Sequence, residues 1–408
     1  MTERLQNRVL LIWEQGHNLG HVARPSGIAE RLRQYGGHPV WAIPAAYAND
    51  SQLRGLKDPH FVIPHTENIP AVSIQRTDSF ADILLSLGFG DASYLEIKVR
   101  RWLQVFKTVN PDRLLLDYAP SAQLAAHLVG MKAFQITNGF DAPPSDCPIF
   151  GITARGPYLE QRNCQTVVRL SSAIEHVGLQ VTGRSGYNLA SMLEYPLKVF
   201  DCIEETDPYA PRRGSQLYVG PLGALPKLIQ AQWPKGSSCN PAFEVRIFAY
   251  LRSSPGELAL LAALAESLCT AIVMLPEATP QILEQFASSN LCLVTQPVEL
   301  NKVLSEANAV ISYGSTTLVC QALLAGLPQL IVPVDMEKAL NAKRVASQGL
   351  AMLWKTGSEP AKTAINRLLQ SAELRKAAAE VAVRYPAEYF VKQRAEFFHK
   401  LSGQIQAD

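Results

Sequence analysis

Short apolar runs and amphipathic stretches alternate along almost the whole chain of 408 residues. The first run, VLLIW at 9–13, has no polar partner in alternation and predicts a strand buried on both faces. A helix over 25–35 follows, ended by Gly36-Gly37, and then a second strand over 39–43. Leu95, Val99, Leu103 and Phe106 recur at helical spacing on one face, and that helix stops at Asn110-Pro111. A strand over 113–117, a helix over 121–129 and a strand over 133–137 continue the series. This βαβα order predicts α/β architecture with a doubly wound parallel sheet.

The pattern breaks and then restarts. Residues 140–151 carry Pro143, Pro144 and Pro148 and predict a loop. A strand over 217–219 precedes Gly220-Pro221-Leu222-Gly223, which with the tract 233–241 is the best linker candidate. A strand over 245–250 opens a second series, with strands at Ala271, Leu291, Ala309, Gln329 and Ala351 and helix from Ala361 onwards. Tyr385-Pro386 interrupts that helix before a last one over 387–401. The chain is too long for one comfortable core. The expected division is a first domain over 1–222, a second over 223–385 and a closing segment over 386–408.

Composition narrows the function classes. Hydrophobic residues make up 47% of the chain, enough for two cores, and 38 Lys+Arg against 36 Asp+Glu give a net charge of +2. That balance implies no general attraction to nucleic acid or to a membrane surface. The seven cysteines are scattered, with no CxxC pair and no ligand-like His/Cys spacing, which suits free thiols in a reducing compartment. The run at 9–13 is too short for a signal peptide, and no run approaches the 18 apolar residues of a membrane helix. A cytoplasmic protein without an integral membrane segment is expected.

Four segments could carry chemistry. Gly16-His17-Asn18-Leu19-Gly20-His21-Val22-Ala23-Arg24 follows the first strand, and glycines there let backbone approach a ligand. It is no dinucleotide fingerprint, because GxGxxG is missing and the second strand ends without an acidic ribose partner. Asp117 ends the strand over 113–117, where it could cap the next helix or face a ligand beyond the strand ends. The stretch 309–332 reads as strand (309–312), polar turn (313–317), helix (318–325), Gly326-Leu327-Pro328 stop and strand (329–332), with another helix from Glu337. Unpaired amides at the start of that helix, with Ser and Thr hydroxyls beside them, suit a phosphate. Arg252 and Ser253 lie in Tyr250-Leu251-Arg252-Ser253-Ser254, a βα loop where an arginine serves a phosphate or simply the surface.

These segments resemble the GT-B glycosyltransferases, the group containing the UDP-glycosyltransferases and the bacterial MurG-like enzymes. The resemblance spans nearly the whole chain and is weakest over 45–89 and 163–198. It implies two Rossmann-like doubly wound domains facing a central cleft, with a C-terminal helix crossing back to the first domain. In GHxxR-type loops of the group the histidine is the general base, and the match here is His21, supported by Asp117 in a dyad. The implied donor-binding set is Gly20, Arg252, Ser253, Val298, Gly314, Ser315, Thr316, Thr317, Glu337 and Lys338. Val298 enters through Thr295-Gln296-Pro297-Val298, which resembles the loop that brackets the nucleotide base.

Two departures stand out. Tyr313 occupies the place where many relatives begin the turn with His-Gly-Gly, and Lys338 stands where they carry Gln after an acid that reads sugar hydroxyls. Arg252 could supply the charge that the missing histidine would have brought. The resemblance implies inverting transfer of a hexose from a nucleoside-diphosphate sugar, with a UDP-sugar as co-substrate, no other cofactor and no metal. The acceptor would be a small molecule, lipid or glycan. The rival readings are a non-catalytic nucleotide-sugar-binding or partner protein and a GT-B nucleotide-sugar epimerase.

Overall fold

In the computed structural model the described residues are 7–16, 20–47, 60–63, 76–153, 156–223, 227–235 and 245–403. They fall into two compact units. The first comprises residues 1–201, 209–226 and 391–408, and the second residues 202–208 and 227–390.

The first unit is built on a parallel sheet. Its elements are β1 (Arg8–Trp13), α1 (Gly20–Gln34), β2 (His38–Pro44), β3 (His60–Ile63), α2 (Phe80–Ser86), α3 (Ala92–Val109) and β4 (Arg113–Asp117). There follow α4 (Pro120–Val129), β5 (Ala133–Thr137), α5 (Pro157–Thr182), α6 (Leu189–Glu194), β6 (Leu197–Phe200) and β7 (Leu217–Tyr218). The seven strands run in the order β3-β2-β1-β4-β5-β6-β7. The strand order reverses between β1 and β4, where Trp13 pairs with Asp117. In an open α/β sheet this switch point is where a ligand crevice forms beyond the carboxyl ends of the strands.

Two elements differ from the sequence expectation. α1 begins at Gly20 rather than near residue 25, and Pro25 lies inside it. Proline removes only one amide there, early enough that few intrahelical bonds are lost. The segment containing His21 and Arg24 is therefore helix, not loop. Residues 157–182 form one long helix, α5, in a stretch for which the sequence pattern predicts no element.

The second unit repeats the plan with β8 (Arg246–Tyr250), α7 (Pro255–Ala265), β9 (Thr270–Met274), α8 (Pro280–Gln285), β10 (Leu291–Val294) and α9 (Leu300–Glu306). It continues through β11 (Ala309–Ser312), α10 (Thr316–Leu324), β12 (Gln329–Ile331), α11 (Met336–Ala346), β13 (Met352–Leu353), α12 (Ala361–Gln370) and α13 (Ala372–Arg384). Its six parallel strands run β10-β9-β8-β11-β12-β13, with the reversal between β8 and β11. Ser312 pairs with Tyr250 at that switch point. α10 opens at Thr316, two residues ahead of the sequence expectation, and α11 one residue ahead, at Met336.

The last helix, α14 (Val391–Ser402), belongs to the first unit. Phe397, Phe398 and Leu401 are buried with Val9, Leu11 and Trp13 of β1 and Ile28 and Leu32 of α1. Phe398 stacks on Tyr35, and the Arg394 guanidinium donates to the carbonyl of Val219 at 2.7 Å. Among the described residues no helix is long and apolar enough to cross a membrane.

Candidate functional site

His21 and Arg24 are three residues apart on α1, so both side chains leave the same helix face toward the end of β4. They meet on one atom. Asp117 Oδ1 accepts from His21 Nδ1 at 3.1 Å and from Arg24 Nη1 at 2.7 Å. The Arg24 Nε donates in turn to Asp201 Oδ2 at 2.6 Å, just past the end of β6. Sequence reasoning brought His21 to Asp117 but assigned Arg24 no role and did not find Asp201. The spacing of Arg24 from His21 was a usable signal once the segment was helical, whereas Asp201 follows a strand too short to stand out.

The His21 ring is tightly bounded. Trp13 stacks against it, with centroids 5.7 Å apart and planes 10° from parallel. Tyr118, held with φ of 45°, lies at 6.3 Å on a tilted face. Gly16 has φ of 96°, and a Cβ there would collide with the imidazole. Only glycine therefore admits the ring in this position. A carbonyl–amide bond from Tyr118 to Gln15 at 3.0 Å ties the two strand-end loops together.

Charge fixes the tautomer. Burial by itself would raise the Asp117 carboxyl, but the Arg24 guanidinium and His21 outweigh it and hold Asp117 below its usual value. An ionised carboxylate can only accept, so Nδ1 of the neutral ring carries the proton and Nε2 keeps the lone pair. Asp201 behaves oppositely. Burial pushes its carboxyl up to about 7, only partly offset by Arg24. Asp141, whose Oδ1 accepts from Thr137 Oγ1 at 2.5 Å, is also raised by burial.

The second group of residues lies at the β8/β11 switch point. Tyr313 follows β11 and is nearly buried, with the Tyr250 ring edge-on at 4.7 Å. The Arg252 guanidinium sits over the Tyr313 ring at 4.9 Å and is ion-paired with Glu277. Gly314, with φ of 92°, makes the turn, and its amide donates to Ser312 Oγ at 3.2 Å. α10 then begins with Ser315 at its N-cap, whose side chain caps no amide, so the first amides of the helix have no such partner. Thr316 Oγ1 accepts from Asn341 Nδ2 at 2.9 Å, while Ser315 and Thr317 are half-buried.

Lys338 packs against this turn. A Cβ on Gly314 would stand 3.2 Å from the Lys338 Cβ. Its ammonium bonds Glu337 at 2.7 Å and lies 3.6 Å from Asp335. Burial would lower its pKa, but the two carboxylates raise it, so the buried lysine remains a cation. Ser253 is half-buried in the loop after β8. Val298 does not present its side chain to a ligand, being buried with Phe248, Met274 and Leu318. Only backbone at that position can meet a base. Gly20 opens α1, and His17 lies outside the described residues.

Two parallel-sheet α/β units are the architecture of GT-B proteins. Residues 259–389 match the family model of the erythromycin biosynthesis protein CIII-like C-terminal domain. The elloramycin glycosyltransferase ElmGT of Streptomyces olivaceus is 35% identical over 83 residues, covering 20% of this chain and 21% of that protein. A PGL/p-HBAD biosynthesis glycosyltransferase of Mycobacterium tuberculosis is 23% identical over 94% of this chain and 90% of its own length. The solved glycosyltransferase VinC in complex with dTDP has a TM-score of 0.65 at 16% identity, covering 98% of this chain and all of its own. The fold is that of GT-B proteins, and the relatives that this chain resembles in sequence are glycosyltransferases.

Proposed function

We propose that this protein transfers a sugar from a nucleoside-diphosphate sugar to an acceptor hydroxyl with inversion at the anomeric carbon. The observation that carries the reading is His21, bonded through Nδ1 to ionised Asp117 and keeping its Nε2 lone pair at a sheet switch point. Nε2 takes the acceptor proton as the acceptor oxygen bonds to the anomeric carbon. The bond from that carbon to the diphosphate oxygen breaks, and its electrons leave with the nucleoside diphosphate. Asp117 stays ionised throughout and stabilises the imidazolium, as the carboxylate of a Ser-His-Asp triad does. Direct displacement inverts the configuration.

The diphosphate is assigned to the N-terminus of α10, where Ser315, Thr316 and the uncapped amides provide neutral donors. Neutral donors bind an anion less strongly than ionised ones. Arg252 and Lys338, on either side of the Gly314 turn, supply the positive charge that a histidine at position 313 would give, and Glu337 reads a sugar hydroxyl. Uridine is the base we assign, and because VinC was solved with dTDP, thymidine is the alternative worth testing. The acceptor is a small molecule, lipid or glycan, and no metal takes part in the proposed step.

Calorimetry with UDP, dTDP and the matching nucleosides tests the donor side. Arg252→Ala weakens diphosphate binding by roughly tenfold, the scale of one charge-assisted hydrogen bond, and leaves nucleoside binding near wild type. An equal loss for both ligands would remove Arg252 from the phosphate site.

A further inference from the structure

Asp117 is shared between two hydrogen-bond donors on one helix face, and the sharing is lopsided. Arg24 approaches Oδ1 more closely than His21 does, 2.7 Å against 3.1 Å. The second oxygen, Asp117 Oδ2, is buried without a hydrogen-bond partner among the described residues, as is Asp201 Oδ1. Arg24 is itself buried, and its guanidinium is the group common to both carboxylates. A carboxylate bonded to His21 alone would make the ring more basic and favour its protonated form. A protonated ring cannot accept a proton. A guanidinium on the same oxygen withdraws charge from that bond and repels a second positive charge nearby.

We infer that Arg24, anchored by Asp201, is a positioning residue that keeps His21 neutral by dividing the Asp117 carboxylate between the two. The inference rests on the proposed role of His21 as base. The charged and titratable groups facing this cluster are His21 from α1, Asp117 and Tyr118 at the end of β4, Asp141 beyond β5 and Asp201 beyond β6. Among the described residues of the cluster, Arg24 alone carries a fixed positive charge. Its burial would lower its pKa, but the three carboxylates more than compensate and raise it. The side chain therefore holds its charge across any working pH, and its effect on His21 does not switch off.

The test is the His21 titration, followed by NMR of the imidazole Cε1 carbon in the full-length protein and assigned by the signal lost in His21→Ala. Arg24→Met raises the His21 pKa by about one unit, the low end of the shift a neighbouring charge produces. The acid limb of kcat/KM moves to higher pH by the same amount. Arg24→Lys keeps the charge and reverses most of that shift. Arg24→Met/Asp201→Asn removes the cation together with its second carboxyl partner, keeping the variant foldable, and shows the same upward movement. A His21 pKa unchanged in both methionine variants overturns the inference, as does Arg24→Lys behaving like Arg24→Met. Wild-type turnover in His21→Ala would instead overturn the role of His21 as base, while the titration would still decide what Arg24 does to the ring.

Discussion

His21→Ala lowers turnover by roughly 10²–10⁴-fold, the usual contribution of a positioned general base. Affinity for the nucleoside diphosphate stays near wild type. The separation of the two effects follows from where the residues lie: His21 closes the end of β1 and β4, whereas the groups assigned to the diphosphate surround the turn after β11. The substitution is also mild structurally, because it removes a ring that stacks on Trp13 and leaves the Arg24–Asp117 bond in place. Steady-state kinetics with calorimetry of the same protein sample decides it. Unchanged turnover would dismiss His21 as base, and a matching loss of diphosphate affinity would make the residue part of the donor site.

Phe397→Ala destabilises the first unit by about 3–5 kcal/mol, the range for truncating a large buried aromatic side chain. Phe397 has no exposed surface, lies against Phe398 with ring centroids 4.8 Å apart and meets Phe134 of β5 edge-on at 6.3 Å. Its cluster partners Leu11, Trp13 and Ile136 are buried strand residues held in the sheet, which limits their collapse into the gap. The effect reports on α14 as part of that core, although the helix is more than 160 residues further along the chain than β7. Denaturant unfolding measures it. A change below about 1 kcal/mol, typical of surface positions, would mean that α14 only lies against the unit.

The strands were legible because most are short apolar runs: β4 and β5 carry the boundaries that the pattern at 113–117 and 133–137 predicts. Helices were harder where their buried stripe is polar. α5 buries Asn163 and Thr166 ahead of Leu170, Ala173, Ile174 and Val177, so a hydrophobic period does not reveal its first half. Pro25 similarly hides the start of α1, because proline signals a helix beginning more often than a helix already under way. That one boundary governs the site. With residues 20–24 in loop, Arg24 has no reason to share a target with His21; in helix, the two are neighbours.

The resemblance paired His21 with Asp117, and two evident strands put both near strand ends where a ligand crevice forms. The resemblance supplied the residues of the phosphate turn, but their surroundings came from tertiary contacts that no local pattern encodes. Glu277, 25 positions beyond Arg252, and Asn341, 25 beyond Thr316, are brought in by the return of the chain through a helix and a strand. Lys338 illustrates the same limit. In sequence it is one of a Glu-Lys pair at a helix start, ordinary for a surface; in the structure it is buried against the Gly314 turn.

Product analysis measures glycosyl transfer itself. Purified protein is incubated with UDP-sugars and dTDP-sugars and a panel of hydroxyl-bearing acceptors; mass spectrometry follows the sugar and the freed nucleoside diphosphate, and proton NMR reads the configuration of the sugar carbons. The expected result is one nucleoside diphosphate released for each sugar appearing on an acceptor, with an inverted anomeric centre and a rate that collapses in His21→Ala. Tight binding of the nucleotide sugar with no transfer or hydrolysis in any combination, or a product epimerised while still attached to its nucleotide, would contradict it.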